Sequence, residues 1–379
     1  MRVLAVTVSM FGGDWPPVVA VAKELQQRGH EVSVLGDAVV LEAIKGSGLI
    51  GIEWPEELLP QRFFGDAGSG GHFDEILDAW ARGVEDHGAA VAHETQADVL
   101  IGQLIGVVAT NAIARKANVS WVFVNPAYYV GPDPARPIAI DQPQMADSFE
   151  RTLLPAAAHA SLVLHATDPV FDIIPADLPA HHHYVGPLLW TRPAPTPDFV
   201  TEDGPPWALV SLSTMPMADE ADLANAAVAA LLEHDVRILL TGTAAHSMLT
   251  EATARHAVHV EPFVPHDAVL ERAAIFVSHG GHGGVMRAMS HGVPMTLVPW
   301  GRDQDGVGYR AERLGVAKVV QRDALSVDSL AEAIDAALTD PGIAAESRKT
   351  AARLAGMSPA NESARLIEAA FGETHGRAG

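Results

Sequence analysis

Four of the five residues from 280 to 284 are glycines, and they lie between an apolar run at 273–279 and a helical pattern predicted to begin near Val285. The loop would therefore join the carboxyl end of a buried strand to the amino end of a helix, where α/β sheets bind anions. Glycine lets a phosphate approach the backbone N–H groups closely. The spacing favours a pyrophosphate loop, and the alternative is a tight turn without a ligand.

A dinucleotide-binding fingerprint is a second interpretation of these glycines. That fingerprint needs three glycines spaced G-x-G-x-x-G and an acid about 20 residues further on. Gly281 and Gly283 with Asp303 match part of it, but the third glycine position is Met286. The pattern therefore does not indicate a NAD site.

A second loop with chemical potential, FGGDWPP, follows the first predicted strand, residues 3–9. Asp14 in this loop could accept the proton of a reacting hydroxyl, or it could cap the helix that Pro16 or Pro17 begins. An ordinary carboxylate is a weak base near neutral pH. The catalytic interpretation therefore requires burial or a late proton transfer.

Alternating strand and helix patterns must position both loops. The strand at 3–9, a helix from Val18 to Arg28 and a strand at 30–37 form one βαβ unit, which makes the sheet parallel. A proline-dense segment at 185–207 indicates an extended connector, and the same rhythm restarts after it. With 379 residues the chain is long enough for two α/β domains.

The composition disfavours several classes of partner. The chain has 25 Lys+Arg against 47 Asp+Glu, a net charge of −22, which disfavours nucleic acid and anionic membrane surfaces. It has no cysteine, which excludes disulfides and thiolate chemistry and is compatible with a cytoplasmic location. The opening apolar run leads directly into a helix signal, so we interpret it as a strand rather than a signal peptide.

Residues 263–310 carry a family resemblance. The segment reads FVPHDAVLERAAIFVSHGGHGGVMRAMSHGVPMTLVPWGRDQDGVGYR. Its aromatic turn, His-Gly-Gly loop, Gly-Val-Pro strand start and Asp-Gln pair resemble the nucleotide-sugar signature of family 1 glycosyltransferases, particularly bacterial enzymes acting on natural products of the antibiotic or macrolide type. The segments VGP and VSLST on either side of the connector extend the resemblance over most of the chain.

The resemblance implies a GT-B fold of the α/β class, with two Rossmann-like, doubly wound parallel-sheet domains facing across a cleft. The implied boundaries are an acceptor-binding domain at 1–188, a linker at 189–205, a nucleotide-sugar domain at 206–358 and a helix at 359–379 that crosses back to the first domain.

It also implies roles in binding a donor sugar nucleotide. Phe263 would stack on the base, Val264 would bind it through the backbone, and Asp303 and Gln304 would hold sugar hydroxyls. The residues implied around the diphosphate are Thr214, His279, Gly281, His282, Gly283, Gly284 and Arg287.

Two of these positions depart from the usual family pattern. Gly284 stands where many members have a hydroxyl side chain, and Arg287 stands where many have a ribose-binding Glu. We expect Arg287 to face the phosphates or an acidic neighbour. His282 could instead face solvent, and His291 could simply favour the helix end through the dipole.

Two irregular stretches, 54–80 and 126–152, contain aromatic residues where the family builds its acceptor pocket. They suit a flat apolar aglycone, although some must be ordinary core residues. The residues assigned to the acceptor are Phe63, Phe64, Trp80, Tyr128, Tyr129 and Met145. The three histidines at 181–183 are predicted to form a loop rather than a metal site.

The sequence therefore predicts an inverting, metal-independent glycosyltransferase without a cofactor. A UDP- or dTDP-sugar would donate to a hydroxyl, or to nitrogen or carbon, of a hydrophobic natural product, with Asp14 as the base. A homodimer is compatible with this prediction. The alternatives are a sugar-nucleotide epimerase of the same fold and a non-catalytic relative that activates a partner enzyme.

Overall fold

The computed structural model describes residues 1–10, 12–64, 73–129, 149–214, 219–250 and 258–372. These residues form two compact units. Unit 1 contains the described residues up to 190 together with 358–372, and unit 2 contains those from 191 to 357. Within the described ranges, no helix has both the length and the apolar character needed to cross a membrane.

Unit 1 is built on a parallel sheet of seven strands in the order β3-β2-β1-β4-β5-β6-β7. The strands are β1 Arg2–Val6, β2 Glu31–Gly36, β3 Ile50–Glu53, β4 Val99–Gly102, β5 Ser120–Asn125, β6 Leu162–His165 and β7 His182–Tyr184. The helices are α1 Trp15–Gln27, α2 Ala38–Ile44, α3 Gln61–Phe64, α4 Phe73–Glu94, α5 Val107–Ala117 and α6 Leu154–Ala157, with short 3₁₀ and π turns at Glu56–Leu58 and Phe149–Leu153.

The first strand shows why this sheet is parallel and covered on both faces. Leu4 and Val6 are buried in one apolar cluster, whereas Val3 and Ala5 are buried in another. Successive side chains of a strand point to opposite faces, so a continuous apolar run requires helices on both sides. The predicted βαβ unit is confirmed, since β1 pairs in parallel with β2 after α1.

Unit 2 has a parallel sheet of six strands in the order β10-β9-β8-β11-β12-β13. The strands are β8 Trp207–Ser211, β9 Arg237–Thr241, β10 Val258–Glu261, β11 Ala273–Ser278, β12 Met295–Leu297 and β13 Ala317–Val319. The helices are α7 Asp198–Thr201, α8 Glu220–Leu231, α9 Ala245–Met248, α10 His266–Leu270, α11 His282–His291, α12 Gln304–Leu314, α13 Val327–Thr339 and α14 Pro341–Ala355, with a 3₁₀ turn at Arg322–Ala324.

The last helix, α15 (Pro359–Phe371), belongs to unit 1. Ala364 and Ile367 on its apolar face are buried in a cluster shared with α1. Glu368 accepts from Arg28 at 2.7 Å and lies 2.9 Å from the ring of His30. The chain therefore returns to its first sheet after completing unit 2.

Three local predictions were wrong. The helix after the glycine loop begins at His282 rather than near Val285. The prediction missed its first turn because glycines there contribute no apolar periodicity. The histidines at 181–183 do not form a loop throughout, since β7 pairs with β6 as an edge strand. The stretch at 54–80 is also partly regular, because α4 begins at Phe73.

Candidate active site

The glycine loop follows β11 and carries the first turn of α11. Gly280 has φ +82°, a left-handed conformation that only glycine adopts without strain. Gly281 is the N-cap, so His282, Gly283 and Gly284 supply N–H groups that have no acceptor within the helix. No described atom lies within 4 Å of a Cβ built on Gly283. The first turn of α11 is therefore open on the side that a Gly283 side chain would occupy.

His279 lies beneath this turn. A Cβ on Gly281 would come within 2.7 Å of the His279 Nε2 atom, so the ring requires glycine there. The Nδ1 atom is buried and has no hydrogen-bond partner among the described residues. Burial, opposed by a hydrogen bond to the Ser211 carbonyl and assisted by the Arg302 charge, lowers the pKa of His279 to about 4. At pH 7 the ring is neutral and offers one N–H donor.

We expect the free energy of unfolding to depend on pH, because burial keeps three histidines neutral in the folded protein. Burial lowers the pKa values of His182, His266 and His279 to about 4. Between their unfolded pKa of about 6.5 and pH 4 the unfolded chain binds more protons, so stability should fall as the pH falls through this window. For His279 the loss should be on the order of 1–3 kcal/mol, and chemical denaturation at several pH values would measure it.

A matched pair of variants isolates the His279 contribution. The variant His279→Asn should flatten the slope of stability against pH between 6.5 and 4. The variant His159→Asn should not, because His159 is exposed. An unchanged slope in the first variant would mean that the pKa of His279 is the same in the folded and the unfolded protein.

The loop before α12 lies next to the glycine loop. A Cβ on Gly280 would be 3.6 Å from the carbonyl oxygen of Gln304. Arg302 has φ +61°, a strained conformation for a non-glycine residue and one that clusters at functional sites. It turns the chain so that Asp303 becomes the N-cap of α12 without a capping hydrogen bond from its side chain. The predicted phosphate and sugar motifs are thus brought together within unit 2.

The two polar residues of this loop differ in their environments. Burial raises the pKa of Asp303, and neither its own backbone hydrogen bond nor the Arg302 charge compensates fully. Gln304 is 2% exposed, and its Oε1 atom accepts from the Trp300 N–H at 2.7 Å. Gln304 therefore fixes the shape of the loop, and its contact with a sugar stays a prediction.

The predicted base-binding turn follows β10. Phe263 is 40% exposed, as a ring that stacks on a ligand must be, whereas Val264 is fully buried. The guanidinium carbon of Arg192 lies 4.4 Å from the centroid of the Phe263 ring. One face of the ring is therefore covered by a cation from the start of the connector.

Arg287 faces an acidic neighbour, the second of the two expected alternatives. Its guanidinium donates to Asp267 and, at 2.8 Å, to the hydroxyl of Thr191. His291 also lies 3.0 Å from Asp267, so it does more than end a helix. Although burial would raise the pKa of Asp267, the hydrogen bond from His291 and the charge of Arg287 hold that pKa well below its usual range.

Asp267 is the residue that sequence reasoning missed. It stands in α10, one turn after the predicted base-binding residues, and nothing in its local pattern separates it from a helix-surface acid. The available signal was indirect. An arginine on α11 in place of an acid requires a counter-charge if it is half-buried, and Asp267 was one of several acids in the neighbouring segments.

Two further residues that were predicted to bind the donor have contrasting exposures. His282 is 7% exposed, so the alternative that it faces solvent is wrong. Thr214 is exposed in the loop after β8, and the structure describes no contact between it and the glycine loop.

Asp14 occupies the N-cap position of α1 but makes no capping hydrogen bond with its side chain. Its Oδ2 atom instead accepts from the backbone N–H of Ile105, 3.1 Å away, in the loop between β4 and α5. The carboxylate is thus held at the carboxyl edge of the unit 1 sheet, where α/β proteins bind their ligands. Asp14 therefore stands at the capping position that the alternative predicted, but its side chain does not cap the helix.

Several of the predicted acceptor residues are core residues of unit 1. Trp80 is 1% exposed and donates its indole N–H to the carbonyl of Leu58 at 2.9 Å. Tyr128 is fully buried, and Phe63 packs against α4 at Gly83. In this conformation Trp80 and Tyr128 cannot line a pocket, because the core that encloses them leaves no surface for a ligand.

The remaining residues that were predicted to bind the acceptor are less enclosed or lie outside the described residues. Tyr129 is half-buried, and its N–H donates to Asp172 at 2.7 Å. Met145 and the side chain of Phe64 lie outside the described residues.

Two parallel-sheet α/β units with these loop sites define a GT-B fold. The chain matches the crystal structure of the kitacinnamycin glycotransferase with a TM-score of 0.77 at 21% identity, covering 98% of this chain and 99% of that one. It matches the glycosyltransferase VinC, solved in complex with dTDP, with a TM-score of 0.69 at 20% identity, covering 98% and 99%. The predicted fold is confirmed.

Sequence comparisons agree with the predicted resemblance. Residues 225–369 match the family described as erythromycin biosynthesis protein CIII-like, C-terminal domain. The chain is 32% identical to 4'-demethylrebeccamycin synthase of Lentzea aerocolonigenes over 48% of this chain and 43% of that protein. It is 30% identical to O-mycaminosyltylonolide 6-deoxyallosyltransferase of Streptomyces fradiae over 51% and 46%. The matches thus span less than half the length of these relatives.

Proposed function

We propose that the protein is an inverting, metal-independent glycosyltransferase that moves a sugar from a UDP- or dTDP-sugar to a hydroxyl of a hydrophobic natural product. The observation that carries the proposal is the first turn of α11, open at Gly283, with the Asp303 loop beside it. The related sequence named O-mycaminosyltylonolide 6-deoxyallosyltransferase supports the same reaction class.

The donor would bind to unit 2. The diphosphate would accept hydrogen bonds from the first-turn amides of α11 and from the neutral ring of His279, and the helix dipole would favour its charge. The base would pack near Phe263, whose ring is exposed. The complex of VinC with dTDP supports a pyrimidine nucleotide as the donor class.

Arg287 stands where the family commonly has a ribose-binding acid. The nearby acid Asp267 already binds Arg287, Thr191 and His291, so it would not take over that role. The ribose would therefore be held without an acidic residue. Arg287 would act through Asp267 to keep the base-binding turn and α11 in register. This is a structural role in the donor site rather than a direct phosphate contact.

The reaction would be a single displacement. The acceptor oxygen forms a bond to C1 of the sugar on the face opposite the diphosphate, the C1–O bond to phosphate breaks, and the nucleoside diphosphate leaves. The acceptor proton passes to the Asp14 carboxylate. Inversion at C1 follows, because no covalent sugar intermediate is required.

A transfer assay tests the proposal. The purified protein would be incubated with UDP-glucose or dTDP-glucose and a panel of polyphenols, polyketides and macrolides, with products followed by mass spectrometry. We expect a hexose mass gain on at least one aglycone, with the opposite anomeric configuration to that of the donor. Nucleotide release or epimerised donor that does not depend on any acceptor would contradict the proposal and favour the epimerase alternative.

A further inference from the structure

The connector enters unit 2 beside the predicted base-binding turn. The hydroxyl of Thr191 donates to Asp267 at 2.9 Å and accepts from Arg287 at 2.8 Å. The guanidinium carbon of Arg192, the next residue, lies 4.4 Å from the centroid of the Phe263 ring. Phe263 and Asp267 stand close together in the sequence, at the two ends of one short segment. Two consecutive connector residues therefore hold both ends of that segment.

The sequence of the connector restricts the backbone at this point. Pro193 follows Arg192, and a residue that precedes proline is confined to extended conformations. Thr191 is anchored by its hydroxyl on the other side. Among the described residues Arg192 pairs with no carboxylate. The ring of Phe263 is therefore the described group that Arg192 contacts with its charge.

Phe263 keeps one face for a ligand. Its side chain is 40% exposed although Arg192 covers one face of the ring, whereas the next residue, Val264, is fully buried. A separation of 4.4 Å leaves no room for another planar group between the guanidinium and the ring. A nucleobase that stacks on Phe263 would therefore use the opposite face.

We propose that Arg192 is a positioning residue for the nucleobase and acts through the ring of Phe263. The inference rests on the proposed function and adds a connector residue to its donor site. A guanidinium over one face of an aromatic ring is attracted by the ring quadrupole, so it holds the ring in place. The base then meets a ring that is already ordered, and less side-chain freedom is lost on binding. In this arrangement Arg192 does not touch the nucleotide.

Calorimetry with UDP and dTDP tests this inference on the full chain. Arg192→Ala should weaken binding of the better nucleotide about two- to fivefold, the size typical of an exposed cation–π contact. Arg192→Lys should lie between the parent and the alanine variant, because an ammonium group also binds the face of a ring. Phe263→Leu should weaken binding about tenfold or more, since base stacking is lost.

A double-mutant cycle separates an effect through the ring from a direct contact with the nucleotide. If Arg192 acts through Phe263, adding Arg192→Ala to Phe263→Leu should cause no further loss of affinity. The ratio of diphosphate to monophosphate affinity should also stay the same in Arg192→Ala, because the phosphates would bind at the first turn of α11. A direct phosphate contact would lower this ratio, and its loss would persist in the double variant.

The matched control is Arg237→Ala. The guanidinium carbon of Arg237 lies 4.2 Å from the centroid of the Trp207 ring, so it makes the same kind of contact in the same unit. Arg237 and Trp207 are the first residues of β9 and β8, at the amino edge of the sheet and away from the edge that carries the glycine loop. This variant should keep the nucleotide affinity within about twofold of the parent.

The outcomes separate the inference from the proposed function. If the parent binds nucleotide but Arg192→Ala binds it as tightly, or loses the same affinity with and without the Phe263 ring, the inference is wrong and the donor site stands. An equal loss in Arg237→Ala would also overturn it, because the effect would not depend on the base-binding turn. If the parent binds neither UDP nor dTDP, the proposed function fails, and the inference fails with it.

Discussion

Replacing Asp14 with asparagine is expected to lower the rate of sugar transfer by a factor of ~10²–10⁴, the range typical of a lost general base. The amide keeps the size of the carboxylate, and its oxygen can still accept the Ile105 N–H, so the loop should keep its conformation. The amide cannot take the acceptor proton at neutral pH. Single-turnover transfer on the aglycone identified in the panel assay would measure the loss.

A second aspartate provides the matched control for this substitution. Asp98 also accepts a backbone N–H, from Arg2 at 2.6 Å, but it precedes β4 and therefore lies at the amino edge of the same sheet. Asp98→Asn removes a comparable charge at the opposite edge and should leave the transfer rate within about twofold. Equal losses in the two variants would indicate a shared effect on the stability of unit 1.

Nucleotide affinity separates a catalytic role from a structural one. If Asp14 is the base, the dissociation constant of UDP or dTDP should not change in Asp14→Asn, because the proposed donor residues all belong to unit 2. Transfer that survives unchanged would remove Asp14 from the mechanism. It would leave the helix-terminus site for the diphosphate standing.

The positions of the glycine loop and Asp14 could be predicted from the sequence, because strand, loop and helix follow one another there without insertion. An apolar run such as 273–279 has no alternating pattern, so it predicts a strand buried on both faces, and the glycines after it predict the edge at which α/β sheets bind ligands. The same logic placed Asp14 after β1. Local sequence order alone was enough for these predictions.

Contacts between distant segments were not readable in this way. The pairing of Arg287 with Asp267 and Thr191 depends on how α11, α10 and the connector pack, and no periodicity encodes that packing. Likewise, composition could not separate the core residue Trp80 from an exposed aromatic such as Phe263. Burial is a tertiary property, so it appears only when the elements are assembled.

The replacement of Gly283 is expected to separate nucleotide binding from folding. The variant Gly283→Asp places a carboxylate where the diphosphate would lie, and at about 5 Å with an effective dielectric of ~20 the repulsion is about 3 kcal/mol per charge pair. The affinity for UDP or dTDP should fall about 100-fold. The fold should persist, because no described atom lies within 4 Å of the new Cβ and an acid in the first turn favours the helix.

The alanine variant sharpens this prediction, since it adds volume without charge. Gly283→Ala should raise the free energy of unfolding by about 0.5–1 kcal/mol, because alanine is the better helix former, and should weaken nucleotide binding less than the aspartate does. Gly342 occupies the same first-turn position in α14, and Gly342→Ala reports the helix effect together with a 3.0 Å contact between the new Cβ and the capping Asp340 carboxylate. Titration calorimetry and thermal unfolding of the three variants give both quantities. If Gly283→Asp bound nucleotide as tightly as the parent, the diphosphate would lie elsewhere in unit 2, because a carboxylate in the first turn of α11 cannot share that space with a phosphate at no cost.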